Sequence, residues 1–237
     1  MLPFPPLVPA RLLRRENRFR ALAVLEDGRQ VAAHVPNSGR LREVFDPPGR
    51  RAWLRPVHAP HRKTPYDLLL AEGNGGVLIS VDARLPNPLF AAALRAERFA
   101  DSLGAPAAAW QVQPEPRFGA GRLDFLLTAP GQPRWWVETK SITLVEDGVA
   151  LFPDAPTARG RRHLADLCRL AQAGERAAVV FVVQRADAVA FAAHAAVDPA
   201  FAVALPEAAA CGVAVRAYRC EVTLEGVRLP AAIPRRR

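Results

Sequence analysis

The chain has 237 residues, 50% of them hydrophobic, enough to bury a core in one large domain or two small ones. Its formal net charge is +9 and its pI is about 10.8. That excess points to a polyanionic partner, with evenly spread arginine from codon usage as the plainer explanation. No uninterrupted apolar run reaches membrane-spanning length, so no membrane partner is expected and the protein is read as soluble and cytoplasmic. The apolar opening Leu2 to Ala10 holds four prolines, and its charges follow rather than precede it, unlike a secretory signal.

Up to about Val81 the pattern predicts short strands separated by turns. Arg18 to Glu26 alternates, Asp27-Gly28 makes a hairpin turn, and Gln30 to Val35 continues. Arg51 to Arg55, Tyr66 to Ala71 and Val77 to Val81 follow. Five strands without a helix suggest a small closed barrel of the oligonucleotide-binding (OB) type.

The texture changes near Asp82 to Pro88. Asn87 to Phe99 reads as a helix, with Asn87 as N-cap and Pro88 at the first helical position. Three strands are expected near Ala109 to Val112, Leu123 to Thr128 and Arg134 to Lys140. Thr157 to Ala173 is a second helix with an apolar stripe of Leu164, Leu167, Cys168 and Ala171. Arg176 to Gln184 contains a continuous apolar run, the mark of a strand covered on both faces. A third helix, Pro199 to Ala210, and a last strand, Val213 to Thr223, complete a mixed α/β half. The terminal Pro234 to Arg237 reads as a mobile basic tail. Cys168, Cys211 and Cys220 are odd in number and form no Cys-x-x-Cys pair, so they are expected as reduced thiols, with neither a disulfide frame nor zinc. His58 and His61 have metal-like spacing, but no cysteine or acid completes a zinc cage.

Thirty of the 32 basic residues are arginine; the two lysines are Lys63 and Lys140. A lysine kept in so arginine-biased a chain suggests a place where a compact ammonium is needed. Lys140 stands two residues after Glu138, and Asp124 precedes Glu138 by a hairpin's length. If their strands pair, both carboxylates reach one point at the sheet end, a donor set that suits Mg2+ or Mn2+. The cation would polarise a phosphodiester and activate water. Lys140 shares strand parity with Glu138 and would stabilise charge or position the water. The plainer alternative is an ordinary hairpin with a surface ion pair. Glu115 is a candidate third carboxylate, or else a turn residue. Arg122 neighbours Asp124 and would support the hairpin or touch phosphate. Arg159 and His163 share a helix face near a helix start, with Arg162 between them, and suit an anion site. Gln184 ends the buried strand at the same sheet edge. In the first half, the loop carrying Asn37 and Arg40 and the loop carrying Arg62 and Lys63 look like nucleic-acid contacts.

Taken together, these stretches resemble the sugar fermentation stimulation protein A family. They are His34-Val-Pro-Asn-Ser-Gly-Arg40, Arg62-Lys-Thr64, Arg122-Leu-Asp-Phe125, Val137-Glu-Thr-Lys-Ser141, Phe152-Pro-Asp-Ala155, Thr157-Ala-Arg-Gly160, His163-Leu164 and Phe181-Val-Val-Gln-Arg185. The resemblance implies an N-terminal OB-type β-barrel over residues 1–83 and a C-terminal PD-(D/E)XK nuclease-like α/β domain over residues 84–237. It implies DNA as partner, with a link to regulation of maltose metabolism, and places Asp124, Glu138 and Lys140 at the nuclease-core positions. Two departures stand out: leucine rather than proline precedes Asp124, and the segment from Glu115 to Asp124 is short. A metal-dependent nuclease is the leading expectation. A non-cleaving DNA-binding regulator is the second, and an RNA-processing factor the third.

Overall fold

The computed structural model describes residues 1–99, 103 and 106–236. A short strand β1 (Leu2–Pro3) precedes the barrel. The barrel strands are β2 (Val8–Asn17), β3 (Arg20–Leu25), β4 (Gln30–His34), β5 (Arg51–Pro56) and β6 (Tyr66–Glu72), with β7 (Leu78–Ser80) added along the end of β6. The sheet runs in the order β4-β3-β2-β5-β6-β7 and closes where β4 pairs in parallel with the start of β6, Ala33 opposite Tyr66. Its interior is filled by small and branched side chains such as Ala21, Ala23, Ala33, Leu12, Leu54 and Leu68. The expected barrel is present. It also includes β2, which the sequence hid: two register shifts break its alternation, and prolines open it. One short helix, α1 (Arg42–Phe45), joins β4 to β5.

Two polar devices fix the barrel's loops. The Arg15 guanidinium donates to the carbonyls of Arg18, Asn37, Gly39 and Arg40, so one cation gathers two loops. Asp67 is buried between Arg55 and Arg62. Burial raises its pKa, but the hydrogen bonds and charges of the two arginines outweigh that, and the net shift is downward.

The second half begins with α2 (Pro86–Arg95). Then come β8 (Gln111–Pro114), the hairpin β9 (Arg117–Phe118) and β10 (Gly121–Arg122), β11 (Phe125–Thr128), β12 (Trp135–Ile142), β13 (Val145–Glu146) and β14 (Val149–Phe152). Helix α3 (Ala158–Gln172), β15 (Arg176–Val183), β16 (Ala190–Ala193), α4 (Pro199–Ala210), β17 (Ala214–Val222) and β18 (Gly226–Ile233) complete it. A seven-stranded sheet of order β1-β18-β17-β15-β12-β11-β8 forms the centre, with β12, β15 and β17 parallel. Alternate residues of β15 serve two cores. Val179, Phe181 and Val183 meet Leu164, Leu167, Phe201 and Leu205 of α3 and α4. Val180 and Val182 join Leu89, Phe90 and Leu94 of α2. This two-sided cover is why the strand reads as an unbroken apolar run.

The two halves are bolted together at Gln184. Its side chain is fully buried, accepts from Ser80 Oγ, and donates to Asp82 O and Ser141 Oγ. Its backbone oxygen accepts from Ser80 N. At the other end, β1 pairs with β18, Leu2 opposite Val227. Gly226 permits this contact, since a Cβ there would lie 2.4 Å from Leu2 O.

Three expectations are corrected. Cys168 and Cys211 form a disulfide between α3 and the end of α4, although their separation of 43 residues gave no sequence signal; Cys220 is the buried free thiol. Asn87 is not the N-cap of α2: that position is Leu85, because the helix starts at Pro86, two residues before Pro88, which frees the Asn87 side chain for other partners. The basic tail is docked, not mobile, up to Arg236, as Phe191 N donates to Pro234 O and Arg236 N to Phe191 O; Arg237 lies outside the described residues.

The bridge closes a loop long enough to stabilise by roughly 2–4 kcal/mol. Reductant, or Cys168→Ser, is therefore expected to lower the thermal midpoint in calorimetry, while an unchanged midpoint would show that the two thiols do not pair.

Candidate active site

Strands β11 and β12 pair with Phe125 opposite Val137. Asp124 and Glu138 are the next residues along, so they stand just past the last rung of this ladder. Both acids, with Thr139, Lys140, Glu115 and Asn87, line one cleft of about 660 Å³ between the barrel and the sheet. The barrel contributes Arg18, Asn37, Ser38 and Gly39 to the opposite wall. A Cβ on Gly39 would lie 2.2 Å from Asp154 Oδ2, and Arg40 N donates to that oxygen at 2.7 Å. These contacts hold the two walls at a fixed spacing.

Glu138 is almost fully buried. Its Oε1 accepts from Lys140 Nζ and from His163 Nδ1, while its Oε2 is buried and accepts nothing from the described residues. Burial works against the charged form, yet the His163 hydrogen bond and the Lys140 charge outweigh it, so its pKa lies below the ordinary glutamate value. Arg159 Nε donates to His163 Nε2 at 3.3 Å. A ring that accepts at Nε2 carries its proton on Nδ1, so His163 donates to Glu138. Lys140 Nζ, 3.2 Å from the same Nδ1, is then spent on Glu138.

Asp124 is bound differently. Its Oδ2 accepts from Thr139 N at 2.7 Å and Thr139 Oγ1 at 2.9 Å, and its Oδ1 accepts from Asn87 Nδ2 at 3.0 Å. Asn87 Oδ1 lies beside the same Thr139 hydroxyl, whose one proton it shares with Asp124 Oδ2. Sequence reading missed Asn87 and Thr139 as site residues. The first was assigned to a helix cap, and the second was only the spacer between Glu138 and Lys140.

The described residues hold no cluster of three or more His, Cys, Asp or Glu side chains fit for a metal ion. The donor set nevertheless suits a hard divalent cation that keeps several waters and takes one or two carboxylates plus substrate oxygens. The unpartnered Glu138 Oε2 and the singly bonded Asp124 Oδ1 are the available ligands.

Other sequence candidates divide between the cleft and the scaffold. Arg159 lines the cleft, and the backbone of Arg40 borders it. Asn37 lines it too, but its side chain is occupied by Val81 O and Gly39 N. Glu115 pairs with Arg122, so neither is free of the other. Arg162 rests against Gly121 of the β9–β10 hairpin, outside the cleft. Arg62 is committed to Asp67, and the neighbouring Lys63 is exposed; neither lines the cleft. Gln184 serves the joint between the halves.

Two family models match in tandem: an "SfsA N-terminal OB domain" over residues 13–81 and a "Sugar fermentation stimulation protein RE domain" over residues 84–226. The chain belongs to the sugar fermentation stimulation protein family. A family homolog from Moorella thermoacetica is 46% identical over 96% of this chain and 95% of its own length. One from Ruegeria sp. strain TM1040 is 42% identical over 98% and 99%. The solved structure of Pyrococcus furiosus SfsA in complex with Ca2+ superposes with a TM-score of 0.88 at 32% identity, covering 99% of this chain and 98% of that one. Family membership accounts for the barrel-then-sheet order. No helix among the described residues is long and apolar enough to cross a membrane.

The lowered Glu138 pKa makes its pairing a source of stability above the unfolded-state value near 4.5, lost as pH falls through the lower folded value. Urea melts of wild type and Glu138→Gln are expected to differ most near neutrality and to converge on acidification below that value. A gap that stays constant with pH would mean that the carboxylate charge is not what stabilises the site.

Proposed function

We propose that the protein binds DNA in the cleft between its two halves and hydrolyses phosphodiester bonds there with Mg2+ or Mn2+. The observation that carries this reading is the buried, unpartnered Glu138 Oε2 beside Lys140 on a cleft walled by arginines. Support also comes from the Pyrococcus furiosus relative, whose structure was solved with Ca2+, another oxygen-seeking cation.

Each residue has a distinct task. Glu138 Oε2 and Asp124 Oδ1 would hold the cation, which would supply Lewis-acid polarisation of the phosphate and a more acidic water. Asn87 and Thr139 fix the orientation of Asp124 by hydrogen bonds to both of its oxygens. His163 locks the Glu138 rotamer through Oε1, leaving Oε2 for the cation. Lys140, two residues along the same strand face and bonded to Glu138 Oε1, would stabilise charge on the phosphate or position the water. Arg18 and Arg159 would bind the phosphates on either side.

Purified protein with labelled DNA or RNA and added Mg2+ or Mn2+ tests this. Cutting is expected with metal and not with chelator, and it should fall about a hundredfold or more in Asp124→Asn, Glu138→Gln and Lys140→Met. The reading fails if wild type does not cut, or if the variants cut as well as wild type.

One observation favours a second reading, a DNA-binding regulator without cleavage. Asp124 accepts three hydrogen bonds within the protein and Glu138 Oε1 two, so much of the acid pair is satisfied internally. That protein would bind DNA with strong salt dependence and no dependence on metal.

A further inference from the structure

The two-residue hairpin between β2 and β3 carries Arg18 and Phe19 at its tip. Turn tips favour glycine, asparagine and aspartate, and nothing in the turn chemistry calls for a phenyl ring. Phe19 is nevertheless 49% exposed, the one exposed aromatic side chain among the described residues. Its ring stacks on the His34 imidazole, with centroids 6.3 Å apart and planes inclined by 27°.

The tip is rigid. Phe19 N donates to Asn17 Oδ1 at 2.9 Å, Phe19 O accepts from Val35 N at 3.0 Å and lies 3.1 Å from His34 Nδ1, and Arg15 holds Arg18 O. The backing ring and the fixed backbone leave one aromatic face turned to solvent without loop entropy to lose on binding. Arg18, the adjoining residue, lines the cleft that holds Asp124 and Glu138, and its guanidinium has no hydrogen bond or ion pair among the described residues.

The cleft also sets the size of what enters. At about 660 Å³ it falls in the range of sites for small ligands, on the order of 300–1,000 Å³. The Arg40–Asp154 hydrogen bond and the Gly39–Asp154 contact keep its walls together. That space is about the size of one or two nucleotides of a strand.

We propose that Phe19, backed by His34, is a stacking platform for an unpaired base, and that Arg18 passes the adjoining phosphate into the cleft. The ligand class is single-stranded nucleic acid, and the proposal rests on the nucleic-acid reading of the cleft given above. An unpaired base offers a π-face to the ring whatever its sequence, and its phosphate offers the anion that Arg18 lacks.

The test uses the full chain in chelator, so that binding is read without cutting. Anisotropy is measured for a short oligothymidylate, a short oligouridylate and a matched blunt duplex, and 2-aminopurine within the single strand reports stacking. A single strand is expected to bind at least about tenfold tighter than the duplex. Phe19→Ala should weaken single-strand binding about 5- to 100-fold and relieve the 2-aminopurine quenching, with the salt slope unchanged. Phe19→Trp should restore both. Arg18→Ala should instead reduce the salt slope by about one. Preference for either the deoxyribose or the ribose strand over duplex supports the platform and identifies its sugar. Equal binding of strand and duplex, or a Phe19→Ala protein with the wild-type melt that binds and quenches like wild type, overturns it. A protein that never cuts but stacks refutes only the cleavage reading; one that cuts but does not stack refutes only the platform.

Discussion

A carboxylate taken out of water must be paired or lose its charge, and the region around Glu138 is organised by that constraint. Its two partners come from different elements: Lys140 from the same strand face and His163 from α3. The strand supplies the spacing, because alternate residues share a face. The helix supplies the angle, because Leu164, Leu167 and Leu170 seat it on the sheet and carry His163 with them. Arg159, one turn earlier, then sets the tautomer from outside. The interaction network therefore runs from an exposed arginine to a buried acid through a single imidazole.

The same economy appears where the halves meet. Gln184 satisfies every polar atom it brings into the interior, using Ser80 and Asp82 on one side and Ser141 on the other. A buried amide of this kind fixes orientation, because any other approach of the barrel would strand its groups without partners. Around the cleft, the Asp154 carboxylate takes the backbone of the barrel's loop directly, so the wall opposite the acids is set by main chain and not by long flexible side chains.

Periodicity and turn chemistry made much of this legible from sequence. The two-sided run of β15 and the helix from Pro199 to Ala210 read directly, because burial writes itself into residue order. The segments that escaped did so for physical reasons. In β2, bulges shift the alternation and prolines mask a strand. β18 pairs at the sheet's margin and carries a proline, a position where the pattern weakens. Within the site, the acids and lysine stood out by type and spacing. Asn87 and Thr139 did not, because their role comes from a helix start and a strand lying side by side, which residue order does not encode. On the polar face of α3, Arg162 rests against Gly121, while Arg169 lies over the Phe118 ring and pairs with Asp166.

The pairing of Leu2–Pro3 with Gly226–Val227 has a consequence for how the molecule is assembled on the ribosome. The barrel's strands emerge in succession and can close among themselves, since their neighbours in space are near in sequence. The segment ahead of them has no such neighbour until the far end of the sheet has been synthesised. Its capture beside the glycine of β18 therefore comes after the barrel strands can close, and it ties together two stretches that lie far apart in the chain.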